Sequence, residues 1–479
     1  MTIKKASEKL LFSIYIPVFL IVFSVSVLFY VNPINTMNRL NALCAGFLVV
    51  FLLTVLYTIY YHGFMSLYAI WLYTSAFFIY DSYFFTLTGD YNFLQQRLPL
   101  TYTVSERAGV LLLMASFLTL FVTHISYCLL KTRVKAKNVA ITPNDPFMQK
   151  CGMALMIIFL IPVLYKTYLQ VRYVMTYGYL AIFTGMLAEI SYPIWTFGCS
   201  TAFNIGYILF FTSSPSKKSF IVFTSIYTLV AFFSAMKGQR GPILSSMLVL
   251  FYLLYKKYNM KIGIKTIVFL AVVVCLITIK LGETRSNYGK DTKAKSSSKP
   301  VTEAILGMLW GQTNTKAVPL LIMDRELEYH TYPFVFSPLL TQINSALYPT
   351  NGQTVVSAEK YNNISQVTMY NVSRKTHLKG GGYGGAFLAE AYDCGGFFGV
   401  IFFSILIAWI MLQFDVRLNY LSRKMLPLAY YVLLNNIALP RGRFFGWWAP
   451  TLLFFIYIFY LLVKNARWFT PRSANQLAH

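Results

Sequence analysis

Apolar runs of about 20 residues, the length that carries an α-helix across the hydrocarbon of a bilayer, recur from one end of this chain to the other. Twelve can be counted, at 10–31, 40–60, 64–86, 108–130, 151–169, 193–213, 219–236, 242–257, 264–281, 385–414, 426–440 and 445–464. They do not break into the ~10-residue alternating segments of a membrane β-barrel, and a helix satisfies its own amides where no water reaches. The pattern predicts an all-α polytopic membrane protein with about 12 transmembrane helices. The eighth and eleventh runs are short, which predicts tilt or partial burial. The first run is too long for the apolar part of a signal peptide and lacks a small-x-small cleavage site, so it reads as a retained helix.

The polar stretches between the runs set the orientation. With the N-terminus (Lys4, Lys5, Lys9) in the cytoplasm, the even-numbered runs from the fourth onward return to loops rich in Lys and Arg: 131–150, 214–218, 256–265, 415–425 and the C-terminal tail. Short cytoplasmic loops carry this bias, so both termini are expected inside. The opposite side receives 32–39, 87–107, 170–192, 237–241, 441–444 and one long hydrophilic insert, 282–384. Three regions follow: 1–281 with helices 1–9, the large extracytoplasmic loop 282–384, and 385–479 with helices 10–12 and a short tail. Within the loop, 283–300 is rich in Lys and Ser and is expected to be mobile, whereas Ala304–Trp310 and Tyr332–Pro338 are apolar enough to pack as short helices.

Only 12% of the residues are charged, about half the share of soluble domains, which reinforces the membrane reading. The net charge of +25 is scattered between apolar runs rather than gathered in a basic domain, so nucleic acid is excluded as a partner and membrane lipids are expected instead. The six cysteines form no CxxC and the five histidines no HExxH, so no metal is expected. Phosphate-loop and dinucleotide fingerprints are also missing from the sequence, and no nucleotide cofactor is expected. With no internal repeat, the inverted-repeat architecture of transporters gains no support.

Three constellations carry chemistry. Lys237-Gly-Gln-Arg240-Gly lies in a short outer loop where cations run against the charge bias, just before a helix start at Pro242; backbone amides and Arg240 there suit an anion such as diphosphate. Pro440-Arg441-Gly-Arg443 repeats that chemistry between the last two runs, beside Trp447 and Trp448, which suit either a membrane interface or a sugar platform. The third is the glycine-rich stretch from Gly380 to Gly399, which contains Tyr383, Tyr392 and two acids three residues apart, Glu390 and Asp393, on one helical face. An acid at membrane depth is a functional candidate: Glu390 as a base that deprotonates a sugar hydroxyl, or as the structural partner of an arginine. Weaker candidates for glycan contact are Arg172, Tyr177, Arg374 and His377; Arg285 and His330 read as solvated loop residues.

The order of these features resembles the Wzy-type polymerases of O-antigen, capsule and related bacterial polysaccharides, the oligosaccharide repeat-unit polymerase family. The matching features are Gly238-Gln-Arg240-Gly241, the large loop, Leu388-Ala-Glu390-Ala-Tyr392, Gly396–Gly399 and the late arginines; residues 1–150 match in hydropathy alone. The resemblance implies a fold like class C glycosyltransferases and O-antigen ligases, and undecaprenyl-diphosphate-linked glycans as substrates. It implies no metal, and it leaves room for a Wzz-type chain-length regulator as a partner. On it, Glu390 and Arg240 are the expected catalytic residues, Lys237, Arg240, Arg441 and Arg443 the diphosphate contacts, with Asp393 or His377 as alternative bases. Two rival readings stay open. An O-antigen ligase would use Arg374 and His377. A lipid-linked oligosaccharide flippase or other transporter would need ionisable groups through the midplane, whereas here they cluster at the outer ends of the runs.

Overall fold

A computed structural model of the protein describes residues 9–31, 36–87, 104–133, 145–184, 190–238, 241–260, 313–418, 421, 425–442, 444, 456–458 and 460–462. Among these residues every regular element is helical. The bundle helices are α1 (Ile16–Val31), α2 (Thr36–His62), α3 (Leu67–Ser75), α4 (Asp81–Leu87), α5 (Glu106–Arg133), α6 (Pro146–Tyr177), α7 (Cys199–Thr212), α8 (Lys217–Ala235) and α9 (Gly241–Lys256). The long insert contributes α10 (Thr313–Asp324), α11 (Ser337–Leu347), α12 (Val355–Lys360), α13 (Ile364–Val372) and α14 (Arg374–Leu378); α15 (Phe387–Arg417) and α16 (Leu426–Asn436) return to the bundle. Six of the described helices are long and apolar enough to cross a membrane, and two shorter apolar helices accompany them. The runs at 264–281 and, largely, 445–464 fall outside the described residues, as do 283–300 and 304–310.

Two apolar runs contain a break that hydropathy does not reveal. The run 64–86 is α3 and α4 joined by a π-helical turn, Ala76–Tyr80. The run 385–414 is interrupted at Gly395 and Gly396; Gly396 has φ +58°, a left-handed value that glycine adopts freely. Helix ends follow local chemistry. The Asp145 carboxylate accepts the Met148 N–H at the start of α6 and Gly178, at φ +91°, ends it. Ser66 and Ser216 cap α3 and α8 in the same way as Asp145.

The bundle packs by shape. Gly152 on α6 faces Gly206 on α7 so closely that a Cβ on Gly152 would lie 2.6 Å from the Phe210 amide nitrogen and 2.8 Å from the Gly206 carbonyl. Small residues are what allow two backbones to touch inside a membrane. α5 lies along α15, and α10 of the insert packs on both.

Polar contacts sort the helix termini into two opposite ends. At one, the Asp415 carboxylate near the end of α15 accepts the Leu67 and Tyr68 N–H groups that open α3 (2.9 and 3.4 Å), the Tyr127 hydroxyl of α5 (2.8 Å) and the Tyr252 hydroxyl of α9 (3.4 Å). Lys131 meets His62 there (2.7 Å), Lys257 donates to the Tyr430 hydroxyl (2.8 Å) and the Asp145 N–H to the Ser213 carbonyl (2.9 Å). The insert covers the other end. Its residues Ala317, Leu321, Phe334, Ile364 and Val367 form a core of their own with Ala386 and Ala389 at the start of α15. Tyr332–Pro338 becomes a short 3-10 turn, Phe334–Phe336, running into α11.

Candidate functional site

The glycine stretch that enters α15 is packed tightly at Gly380, Gly381 and Gly382. Gly380 (φ +86°) sits against segment 180–184, where a Cβ would come within 2.7 Å of the Leu180 carbonyl. Gly238 (φ +93°) lies against the ring of Tyr179 in the same neighbourhood, so that a side chain there would run into it. The 3-10 turn Tyr179–Ile182 therefore touches both glycine motifs that the sequence singles out.

Glu390 lies in the first turn of α15, where a carboxylate is favoured by the helix dipole. It is 1% exposed and accepts the Phe444 N–H at 2.6 Å. The Phe444 ring packs on Phe403 (5.0 Å between centroids) and Phe387 (6.3 Å). This fixes the segment after α16, including the 3-10 turn Leu439–Arg441. The Arg441 guanidinium lies 5.5 Å from the centre of the Phe78 ring on the π-helical turn. Three residues beyond Phe78, Asp81 forms an ion pair with Lys316 of α10, both side chains being buried. The π-turn packs on α10 and on the Leu439–Arg441 turn, and α15 packs on both of these as well, so Glu390, Arg441, Asp81 and Lys316 share one region at the insert-covered end.

Asp393, one helical turn beyond Glu390, holds the insert instead. Its carboxylate accepts the Phe334 N–H (2.7 Å) and pairs with His330 Nε2 (3.1 Å). The His330 side chain is 26% exposed against 6% for Asp393, so the imidazole reaches solvent while the acid orients it.

Lys237 lies apart from this region. With Lys166 it lines a cavity of about 410 Å³ between α6, α7, α8, α9 and α16, to which neither Glu390 nor Arg441 contributes. Its ammonium donates to Gln170 Oε1 (2.8 Å). Burial, and then the nearby charge of Lys166, lower its pKa below the ordinary lysine value.

The remaining candidates are dispersed. His377 is fully buried within the insert and its Nε2 donates to the Thr354 carbonyl (3.0 Å); burial lowers its pKa. Arg374 is exposed, paired with Glu328 (3.1 Å) and stacked over Tyr370. Tyr383 is buried in the core of the insert, and Tyr392 packs edge-on to Phe397. Arg172 and Tyr177 are exposed at the end of α6. Arg240, Arg443, Trp447, Trp448 and Arg285 lie outside the described residues. Sequence reasoning passed over Asp81 and Lys166, each a charge inside an apolar run and so detectable in principle. It also passed over Lys316, which nothing distinguishes from other loop lysines.

No curated protein and no solved structure matches the chain. The family model described as O-antigen polysaccharide polymerase Wzy matches residues 12–467, a span that takes in the whole of the Glu390–Arg441 region, the insert above it and the helices beneath. By that match over nearly its full length, this multi-pass membrane protein belongs to the O-antigen polysaccharide polymerase Wzy family.

Proposed function

We propose that the protein polymerises undecaprenyl-diphosphate-linked oligosaccharide repeat units at the outer face of the inner membrane. The growing glycan passes from its lipid carrier to the non-reducing end of a new lipid-linked unit. Family membership supports the reaction class. The observation that carries the site is the 2.6 Å bond from the Phe444 N–H to Glu390, which ties the entry of α15 to the segment that carries Arg441. The orientation rests on the Asp415 end, where the helices run into the Lys- and Arg-rich loops at 131–150, 214–218, 256–265 and 415–425. That end is cytoplasmic, with both termini inside, and the insert faces outward.

In the proposed step the acceptor hydroxyl gives its proton to Glu390, and its oxygen bonds to the anomeric carbon of the growing chain. The bond from that carbon to the diphosphate oxygen breaks, and undecaprenyl diphosphate leaves with the electron pair. Arg441, with Arg240 and Arg443 assigned to the same task, meets the charge that develops on the leaving group. The chemistry needs the two lipid-linked glycans and no nucleotide sugar. One observation favours a second choice of base: the Glu390 carboxylate is buried and engaged with Phe444, whereas His330 is partly exposed and oriented by Asp393 in the manner of a base–orienter pair.

The test is purified protein in proteoliposomes with lipid-linked repeat units. A ladder of products differing by one unit is expected. Transport of single units across the bilayer with no ladder would replace polymerisation by translocation.

A further inference from the structure

The cavity beside Lys237 does not belong to the Glu390–Arg441 region, and its composition calls for a ligand. Lys166 and Lys237 both line it, and among the described residues no carboxylate does. Gln170 helps to set both ammoniums: its Oε1 accepts Lys237 (2.8 Å), its Nε2 donates to the Tyr192 hydroxyl (3.2 Å), and Lys166 lies 5.3 Å from the centre of the Tyr192 ring. The walls between them carry neutral hydrogen-bonding groups, Asn204, Ser234 and Ser245 among them. Two cations held in a helix bundle without a counter-charge are costly, and an anion that accepts hydrogen bonds from both relieves that cost. At about 410 Å³ the space is of the size that holds small ligands, enough for a diphosphate and the sugar beside it.

The location selects a lipid-borne anion. The cavity lies between α6 and α8, whose outward faces expose Ile161, Tyr168, Leu229 and Phe233 as a bilayer would require. Asn435 on α16 lines it, and Arg441 follows six residues later, in the 3-10 turn beyond the end of that helix. The segment that supplies Arg441 to one cationic place thus also lines the other.

We propose that the Lys166–Lys237 cavity is a second phosphate head-group site, separate from that of Glu390 and Arg441, and that it holds the diphosphate of the second lipid-linked glycan. The identity of that lipid rests on the polymerase reading; the phosphate chemistry of the cavity does not.

The test counts undecaprenyl diphosphate bound to the protein in nanodiscs by native mass spectrometry. The unmodified protein is expected to bind two equivalents, and Lys166→Gln and Arg441→Gln one each. Lys166→Arg should restore the second equivalent, and Lys237→Gln should reproduce the loss, which separates a lost site from a misfolded variant. Two equivalents with unchanged affinity in both Lys166→Gln and Lys237→Gln would overturn the proposal. Displacement of the Lys166-dependent equivalent by an equal amount of phosphatidylglycerol would overturn the assignment to a substrate lipid and leave a site for bulk phospholipid. Lys166-dependent binding together with no product ladder would sink the polymerase reading and leave the head-group site standing.

Discussion

The Phe444 N–H and the Glu390 carboxylate, 54 residues apart in sequence, meet at 2.6 Å in a buried setting. On the proposed mechanism one acid thereby has two separable duties, holding the Arg441 segment and accepting a proton. Glutamine keeps an oxygen for the Phe444 N–H and loses the basicity; alanine loses both. If Glu390 is the base, Glu390→Gln and Glu390→Ala both lower polymerisation by about 100-fold or more, within the range that general base catalysis contributes. Ladder assays with normal protein levels decide. Full activity in Glu390→Gln would leave Glu390 as an anchor and move the base to His330, in which case His330→Ala would be the inactive variant.

Asp81 and Lys316 join the insert to the bundle through a buried ion pair. Removing one partner leaves the other charge unmatched, which costs about 3–5 kcal/mol in buried pairs. Asp81→Asn and Lys316→Met are each expected to lower the melting temperature of the detergent-solubilised protein strongly. The double variant should recover most of that loss, and equal melting of the double and single variants would show that the pair does not couple.

The Gly152–Gly206 crossing leaves no room for a side chain. Gly152→Val is expected to force α6 and α7 apart, with an overpacking cost of about 1–3 kcal/mol. Wall residues Lys166 and Gln170 on α6 and Asn204 on α7 would shift with their helices. The measurement is a thermal melt together with Lys166-dependent lipid binding, and an unchanged melt would contradict the close approach.

His377 supplies a pH dependence. Burial holds its folded-state pKa below the unfolded value of about 6.5, so the folded insert prefers the neutral ring. The associated stability is present above the unfolded value and is lost as pH falls below it toward the folded one. Proteolysis of the insert should therefore accelerate below about pH 6, and His377→Gln should flatten the profile. A wild-type rate independent of pH between 7 and 5 would contradict this.

Hydropathy located the six described helices that are long and apolar enough to cross a membrane, because lipid demands apolar length, but it saw only part of each. The run at 151–169 becomes α6, Pro146–Tyr177, since the Asp145 cap and Gly178 set its ends rather than its apolar content. The break at Gly395–Gly396 was invisible for a related reason: φ angles leave hydropathy unchanged. Glu390 and Arg441 stood out as charges against an apolar background. The partners of these and neighbouring charges did not, because pairs such as His330 with Asp393, 63 residues apart, are products of packing that no local pattern encodes.

The knot at Asp415 has a mechanical meaning. One carboxylate ties α3, α5 and α9 to the foot of α15, as poles are lashed at one end. From Tyr127 to Arg107, α5 runs about 30 Å at 1.5 Å per residue. One side chain thus fixes the relative height of four helices, α3, α5, α9 and α15, at the end opposite the insert.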